Sequence, residues 1–141
     1  MKFFFKLNVD GSRSSTSGKI GAGGLIRDQN GIWITGFQVN LGIGAIVDAE
    51  AWGIYYGLKI ARNLNIMQLE AATFSTPTWR ILSLVTFSEC NMTADSLAKM
   101  SINHAPGLVI LKEPPIHAAS AYLDDLNDVP RARRTGDSVV D

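Results

Sequence analysis

Three acidic residues are the side chains of this sequence whose types and positions could do chemistry. Asp10 ends an apolar stretch, Glu50 stands near the start of a segment with helical periodicity, and Asp95 lies at the start of a second one. Carboxylate oxygens are hard ligands of the kind that Mg²⁺ takes in proteins. Taken one at a time, however, each residue has a simpler explanation. Asp-Gly is typical of a turn, a Glu at a helix border is usually solvated, and an Asp in a first helical turn usually caps the helix or interacts with its dipole.

The composition describes one folded domain without a general charge bias. The chain has 141 residues, 46% of them hydrophobic and 18% charged, which is too apolar for a disordered chain. Its 13 basic and 13 acidic residues give a net charge of zero, which excludes a generally polybasic nucleic-acid binder but allows a local basic patch. The single cysteine, Cys90, excludes a disulfide framework and a cysteine-rich zinc site. Without a signal peptide or a long apolar run, we expect an intracellular domain, nuclear or cytoplasmic, with no membrane association.

The first 40 residues predict an antiparallel meander of three strands. Residues 3–9 alternate in hydrophobicity with the period of a half-buried strand. A Gly/Ser-rich turn cluster at 11–19 leads to a second strand at 20–28, which contains the small-residue sequence GAGG. The sequence DQNG at 28–31 is typical of a hairpin turn, because Asn and Gly tolerate positive φ, and a third strand follows at 31–40.

The period then changes to that of a helix. Apolar residues recurring at steps of four and three predict one apolar stripe, formed by Val47, Ala51, Ile54, Leu58 and Ala61. This stripe indicates a helix over about 46–63.

A fourth strand is predicted at 66–70 and a fifth at 81–87. A short helix follows, capped by Asn91 or Thr93 and apolar on one side.

The last part of the chain predicts an irregular, partly mobile tail. Four prolines interrupt it, and charged residues accumulate toward its end, so that Asp124, Asp125 and Arg131 are expected to be solvated. We therefore expect a folded domain over residues 1–103 and a Pro-rich, charged C-terminal tail over residues 104–141. The predicted order is β-β-β-α-β-β-α plus tail, which is a mixed α/β fold.

Five segments in series resemble one known family. They read VDGS at 9–12, AGGLIRD at 22–28, GIWITGF at 31–37, AEAWGIYYGLKIA at 49–61 and ECNMTADSLAK at 89–99. Together they resemble the ribonuclease H type-1 domain, in the plant form related to retrotransposon reverse transcriptases. The resemblance spans about residues 5–101, and GLVILKEPP at 107–115 also resembles the ending of those plant proteins.

The resemblance implies a ribonuclease-H-like mixed sheet and a reaction. That reaction is endonucleolytic hydrolysis of the RNA strand of RNA–DNA hybrids, with two Mg²⁺ ions held by four carboxylates. Two hard cations about 4 Å apart need anionic oxygen ligands while they activate water and stabilise the leaving oxygen. Residue by residue, Asp10 of VDGS, Glu50 of AEAW and Asp95 of TADSLA match three ligands, which makes them the expected metal and catalytic residues. The resemblance implies that Asp10 bridges both ions, while Glu50 and Asp95 each support one.

Two departures from the family pattern concern its second half. The third ligand is an Asp in a pattern such as LEVETDS, whereas this chain reads LEAATFS, so Phe74 stands at the lost ligand position. Glu70 is the nearest spare carboxylate, but four residues along a strand displace it by about 13 Å. Ten residues separate Glu70 from Ile81, and a parallel crossover needs a dozen or more. We therefore expect the crossover helix after the fourth strand to be missing.

Further residues could contact nucleic acid. Ser12, Arg13 and Ser14 lie in the predicted loop after Asp10, where the resemblance implies contacts with RNA 2′-hydroxyl groups and backbone. Three aromatic residues could stack on bases, but we expect them to pack in the core: Trp33, Phe37 and Trp52.

Two functions of different classes follow. The first is an impaired hybrid-specific ribonuclease, because Phe74 removes one negative charge from a site that holds two dications. The second is a catalytically inactive nucleic-acid-binding or relic domain from a truncated gene. In both, the expected partner is an RNA–DNA hybrid or another nucleic acid, and no obligate protein partner is expected.

Overall fold

The computed structural model describes residues 5–66, 69–73 and 92–132. Within these residues five strands form one sheet in the order β4-β1-β2-β3-β5, and three helices pack on its two faces. The elements in chain order are β1 (Phe5–Arg13), β2 (Lys19–Asp28), β3 (Trp33–Ile43), α1 (Ile46–Asn63), β4 (Leu69–Thr73), α2 (Met92–Ser101), β5 (Gly107–Leu111) and α3 (Ile116–Ala132). The mixed α/β class predicted from the sequence is confirmed. No helix in the described part of the chain combines the length and the apolar character needed to cross a membrane.

Strands β1, β2 and β3 form the predicted antiparallel meander. The turn between β2 and β3 follows its sequence, because the Asp28 carboxylate accepts the N–H groups of Asn30 at 2.8 Å and Ile32 at 2.9 Å. Gly31 has a φ of 91°, which favours glycine. β1 is longer than predicted, since Ser12 and Arg13 pair with β2 and continue the ladder instead of entering the loop.

Helix α1 has the predicted bounds and covers one face of the sheet. The predicted apolar stripe is wrong at Val47 and Ala51, which are exposed, because the face that packs on the sheet is formed by Ala49, Gly53, Ile54, Gly57, Ile60 and Ala61. Its glycines allow a close approach, since a Cβ on Gly57 would lie 2.7 Å from the Leu7 side chain and one on Gly53 would lie 3.3 Å from Ala22 Cβ. The buried residues of this layer are Leu7, Val9, Ala22, Ile26, Phe37, Val39, Ile54, Ile60 and Ala61. This layer holds the helix that carries Glu50 against the strand that carries Asp10.

Helices α2 and α3 cover the opposite face. A Cβ on Gly23 would lie 2.5 Å from Leu97 Cβ, so the small residues of β2 let α2 lie directly on the sheet. The core of this layer contains Leu25, Ala94, Leu97 and Ala118, with Trp33, Leu111 and Tyr122 packed around it. Because Asp10 pairs with Gly23, and residues directly opposite each other share a face, Asp10 also faces α2.

Strand β4 lies parallel to β1 and begins three residues later than predicted, at Leu69. Its backbone places Glu70 opposite Lys6, four residues before Asp10 in β1, so Glu70 stands well away from Asp10 along the sheet. Phe74, the predicted fifth strand at 81–87 and the expected gap at the crossover helix lie outside the described residues.

The expectation of an irregular segment after His104 is wrong for two stretches. Residues 107–111 form β5, which pairs with β3 at the sheet edge, and residues 116–132 form α3. Pro106 precedes β5, and Pro114 and Pro115 immediately precede α3, where proline is tolerated because no intrahelical N–H bond is lost. These three prolines therefore lie at the ends of elements, whereas Pro130 lies within the last turn of α3.

Tyr122 provides a test that α3 belongs to the folded core. Its hydroxyl donates to the Gly31 carbonyl at 2.7 Å, and its ring packs edge-on against Trp33 at 5.5 Å. We expect Tyr122→Ala to lower the free energy of unfolding by about 2 kcal/mol, because it removes a partly buried ring. Tyr122→Phe loses only the hydrogen bond and should cost about 1 kcal/mol. Urea unfolding followed by circular dichroism measures both, and unchanged stability in both variants would contradict this packing.

Candidate functional site

Asp10 is a buried carboxyl in the second half of β1. Its side chain is 5% exposed and faces the layer formed by α2 and α3. Oδ1 accepts the N–H of Gly11 at 2.9 Å, which fixes the orientation of the carboxyl group. A carboxylate so deeply buried needs nearby donors or a cation to compensate the loss of water.

Glu50 comes close to Asp10 because α1 lies directly against β1. A Cβ on Gly11 would lie 2.8 Å from Ala49 Cβ and 2.9 Å from the Glu50 backbone nitrogen, so a side chain at this position would push the helix away. Glu50 itself is partly buried and close enough for its charge to act on Asp10. Gly11, next to Asp10 in the sequence, thereby determines how closely Glu50 can approach Asp10.

Asp95 completes the group from the other side of the sheet. It lies in the first turn of α2, and its side chain shares a hydrogen bond with that of Asp10. It also forms an ion pair with Lys99 at 3.1 Å, one helical turn later. Both partners of this pair are substantially exposed, so the pair adds little stability.

The surroundings raise the pKa of Asp10 to about 7. Burial is the largest cause, the hydrogen bond with Asp95 is the next, and the negative charges of Asp95 and Glu50 add to it, while the Gly11 N–H opposes them. The three acids that the sequence singled out are therefore within electrostatic reach of one another. In the described part of the chain, however, no group of three His, Cys, Asp or Glu side chains is close enough together to hold one ion.

The donors fit a hard divalent cation in chemical type. A buried carboxyl group hydrogen-bonded to a second one, beside a third negative charge, is an arrangement that positive charge would relieve. Asp10 and Asp95 are the pair in contact, and Glu50 is the more distant member.

The raised pKa of Asp10 predicts how stability depends on pH without metal ions. The unfolded chain releases this proton near pH 3.8 and the folded protein near pH 7, so the stability that protonated Asp10 contributes is lost as the pH rises between these values. We expect Asp10→Asn in EDTA to become more stable than the wild type by about 2 kcal/mol at pH 8, with a smaller difference near pH 5. Urea unfolding at both pH values measures the difference. A difference independent of pH would contradict the raised pKa.

The three residues predicted to contact nucleic acid lie at the same end of β1 as Asp10. Ser12 is partly buried, and Arg13 is exposed and donates from Nε to the Gly44 carbonyl at 3.0 Å. Ser14 begins the turn, where its hydroxyl oxygen accepts the Ser17 N–H at 3.2 Å. Contact of Ser12, Arg13 and Ser14 with nucleic acid stays a prediction.

The aromatic residues divide into two groups. Phe37 is buried, and Trp33 is half-buried with its indole N–H donated to the Leu111 carbonyl at 3.2 Å, so the core prediction is confirmed for both. For Trp52 the prediction is wrong, because its side chain is 46% exposed on α1. It lies 5.2 Å from the Tyr55 ring and 5.9 Å from the Tyr56 ring, and this aromatic group leaves Trp52 and Tyr55 facing solvent.

Helix α3 brings to α2 two residues that the sequence did not connect with the site. His117 lines an open groove of about 390 Å³ together with Asp95 and Lys99, and burial lowers its pKa. Asp125, expected to be solvated, is 3% exposed and contacts Thr93. The available sequence signal was the spacing of Ala118, Tyr122 and Asp125 at steps of four and three, which is helical.

Solved structures share this fold. RNase H1 from Halobacterium salinarum superposes with a TM-score of 0.60 at 16% identity, covering 72% of this chain and 98% of that one. LC11-RNase H1 in complex with an RNA/DNA hybrid gives 0.58 at 18%, covering 70% and 96%. The N-terminal RNase H domain of a Mycobacterium tuberculosis protein gives 0.60 at 16%, covering 72% and 95%. These likenesses establish that the chain has an RNase H-like fold.

Comparison of the sequence with known proteins then identifies the family. The family model described as reverse transcriptase-like matches residues 8–83, more than half of the 141 residues, and the chain belongs to this family. An Arabidopsis thaliana protein named as a candidate ribonuclease H is 26% identical over 157 aligned positions, covering 92% of this chain. The chain spans 25% of the length of that relative. The resemblance to ribonuclease H predicted from the five motifs is confirmed.

Proposed function

We propose that this domain binds RNA–DNA hybrids over Asp10, Glu50 and Asp95 and hydrolyses the RNA strand at a rate well below that of a complete ribonuclease H. The observation that carries the proposal is the contact between buried Asp10 and Asp95, with Glu50 in electrostatic reach, inside an RNase H-like fold. A hybrid as ligand is supported by LC11-RNase H1, which shares the fold and whose structure contains an RNA/DNA hybrid.

Asp10, Glu50 and Asp95 are the residues that would hold Mg²⁺. When bound, the metal supplies an activated water and positive charge for the leaving oxygen of the phosphodiester. Asp10 is oriented by the Gly11 N–H, is hydrogen-bonded to Asp95 and lies within reach of the Glu50 charge, so it is the acid that could act together with both of the others. Because Asp10 holds a proton up to about pH 7, metal binding at lower pH has to displace that proton.

The reduced rate follows from the sequence beyond β4. Thr73, the last residue of β4, pairs with Val9, the residue before Asp10. Phe74 is the next residue of the sequence, at the position where the resemblance requires an Asp. One negative charge fewer weakens the hold on two dications, so metal occupancy and rate both fall.

The second candidate is a hybrid-binding domain without turnover. The observations that favour it are Phe74 and the ten residues between Glu70 and Ile81, which are too few for a complete crossover. In this case the fold and the hybrid interface persist, while the chemical step is lost.

A single set of measurements separates these functions. The full chain is mixed with a fluorescent RNA–DNA hybrid, binding is followed by anisotropy in EDTA, and cleavage is followed on denaturing gels with Mg²⁺ or Mn²⁺, with a DNA duplex of the same sequence as control. Slow, metal-dependent cleavage of the RNA strand supports the first function. Hybrid binding without cleavage in either metal supports the second. Absence of preference for the hybrid over the DNA duplex would overturn both.

A further inference from the structure

Asp125 is a buried carboxyl outside the group formed by Asp10, Glu50 and Asp95. Its Oδ2 accepts two hydrogen bonds from Thr93, one from the backbone N–H at 2.9 Å and one from the hydroxyl at 2.6 Å. Thr93 lies in the first turn of α2, two residues before Asp95. The carboxylate of α3 is therefore bonded to the turn that presents Asp95.

This contact caps α2 from a distance. The first N–H groups of a helix have no partner within the helix, and an acidic acceptor there also interacts favourably with the helix dipole. Such caps usually come from the residue just before the helix. Here the acceptor lies 32 residues farther along the chain, so the packing of α3 fixes the first turn of α2. The hydroxyl of Ser96, bonded to the His117 carbonyl at 3.3 Å, joins the same two helices at a second point.

A buried polar layer connects Asp125 to β1 as well. The positive charge of Arg27 acts on Asp125, and Arg27 Nε donates to Asn8 Oδ1 at 3.0 Å. Asn8 precedes Asp10 by two residues in β1 and therefore points to the same face. Burial raises the pKa of Asp125, and the two Thr93 hydrogen bonds and the Arg27 charge oppose this effect. Asp125 is thus bonded directly to the turn that carries Asp95 and is linked through Arg27 and Asn8 to the strand that carries Asp10.

We propose that Asp125 is a positioning residue of the carboxylate site: it holds the first turn of α2 so that Asp95 stays beside Asp10. The inference rests on the proposed function, since it concerns how the proposed metal ligands are arranged. It assigns a role to α3, which lies beyond residues 8–83 matched by the family.

The test compares four variants of the full chain with the wild type. Asp125→Ala removes the acceptor of both Thr93 hydrogen bonds, and Asp125→Asn keeps one oxygen. Thr93→Val removes only the hydroxyl bond and keeps the shape of the buried side chain, so it tests the same contact if Asp125→Ala does not fold. Asp124→Ala is the matched control, because Asp124 is the exposed acid next to Asp125. Mn²⁺ binding is measured by calorimetry, and amide hydrogen exchange at residues 93–97 is measured in EDTA.

We expect Asp125→Ala to weaken Mn²⁺ binding about 10- to 100-fold and to speed exchange in the first turn of α2, with smaller effects in Asp125→Asn and Thr93→Val and none in Asp124→Ala. Unchanged exchange, or faster exchange with unchanged Mn²⁺ affinity, would overturn the positioning role while leaving the proposed function intact. Failure of the wild type and of Asp124→Ala to bind Mn²⁺ would instead overturn the proposed function, and the role of Asp125 with it.

Discussion

Asp10→Asn is expected to reduce hybrid cleavage to background and to weaken Mn²⁺ binding at least about 100-fold. Asp10 is the acid that interacts with both of the others, through a hydrogen bond with Asp95 and through the charge of Glu50. The amide keeps the size and the Gly11 hydrogen bond but cannot carry negative charge. The loss should therefore come from metal binding and not from unfolding. Calorimetry with Mn²⁺ and gel assays of the hybrid measure the two effects.

Hybrid binding in EDTA should survive this substitution and even strengthen slightly. Without metal and above pH 7, where Asp10 is ionised, the carboxylates repel the phosphates of the hybrid, and Asp10→Asn removes part of that repulsion. Asp48→Asn is the matched control, because Asp48 is an exposed acid in the first turn of the same helix as Glu50. Cleavage that continues unchanged in Asp10→Asn would show that the hydrolysis arises elsewhere and would exclude this site.

Gly23→Ala is expected to destabilise the protein by about 3 kcal/mol and to weaken Mn²⁺ binding with it. The added Cβ would lie 2.5 Å from Leu97 Cβ and 2.6 Å from the Ala98 backbone nitrogen. These atoms belong to the body of α2 and cannot rotate away, so the helix itself has to move. Because Gly23 pairs with Asp10, the displacement occurs where α2 presents Asp95.

Gly53→Ala is the matched comparison, because Gly53 lies in α1, which packs on the other face of the sheet. Its Cβ would lie 3.3 Å from Ala22 Cβ, a tight contact that a small shift relieves, and alanine gains about 1 kcal/mol of helix propensity. We expect a change of about 1 kcal/mol or less in stability and unchanged Mn²⁺ affinity. Thermal and urea unfolding of both variants measure the difference. Equal stability of Gly23→Ala and the wild type would contradict the direct packing of α2 on the sheet.

The exposed face of α1 shows one limit of prediction from sequence. Trp52 belongs to a helix whose bounds are correctly predicted but whose predicted apolar stripe is only partly right, since Val47 and Ala51 are exposed. Trp52 lies outside the buried face of this helix and is 46% exposed. Residue type alone favoured the core, because large aromatic residues are usually buried. The exposure of Trp52 instead depends on its position around helix α1.

The sequence by itself determined the local elements of the first half and singled out the three acids of the proposed site. Alternation in residues 3–9 and helical steps over 46–63 correctly indicated a strand and a helix, because each backbone has its own side-chain period. The expectation of a half-buried strand is wrong, since β1 has helices on both faces and residues 7–10 are all buried. The DQNG turn formed as predicted, since its geometry depends on the residues of the turn itself. Asp10, Glu50 and Asp95 were found by the motifs around them, without knowledge of their distances.

Tertiary structure decided how those acids meet and what supports them. The approach of Glu50 depends on Gly11 against Ala49, and the first turn of α2 is capped by Asp125 from a segment expected to be an irregular tail. Neither contact leaves a local pattern, because each joins residues tens of positions apart and gains its energy from the packing of whole elements. Prolines and charges near the C-terminus suggested a solvated tail, but the burial of Ala118 and Tyr122 against α2, β2 and β3 makes that segment part of the core.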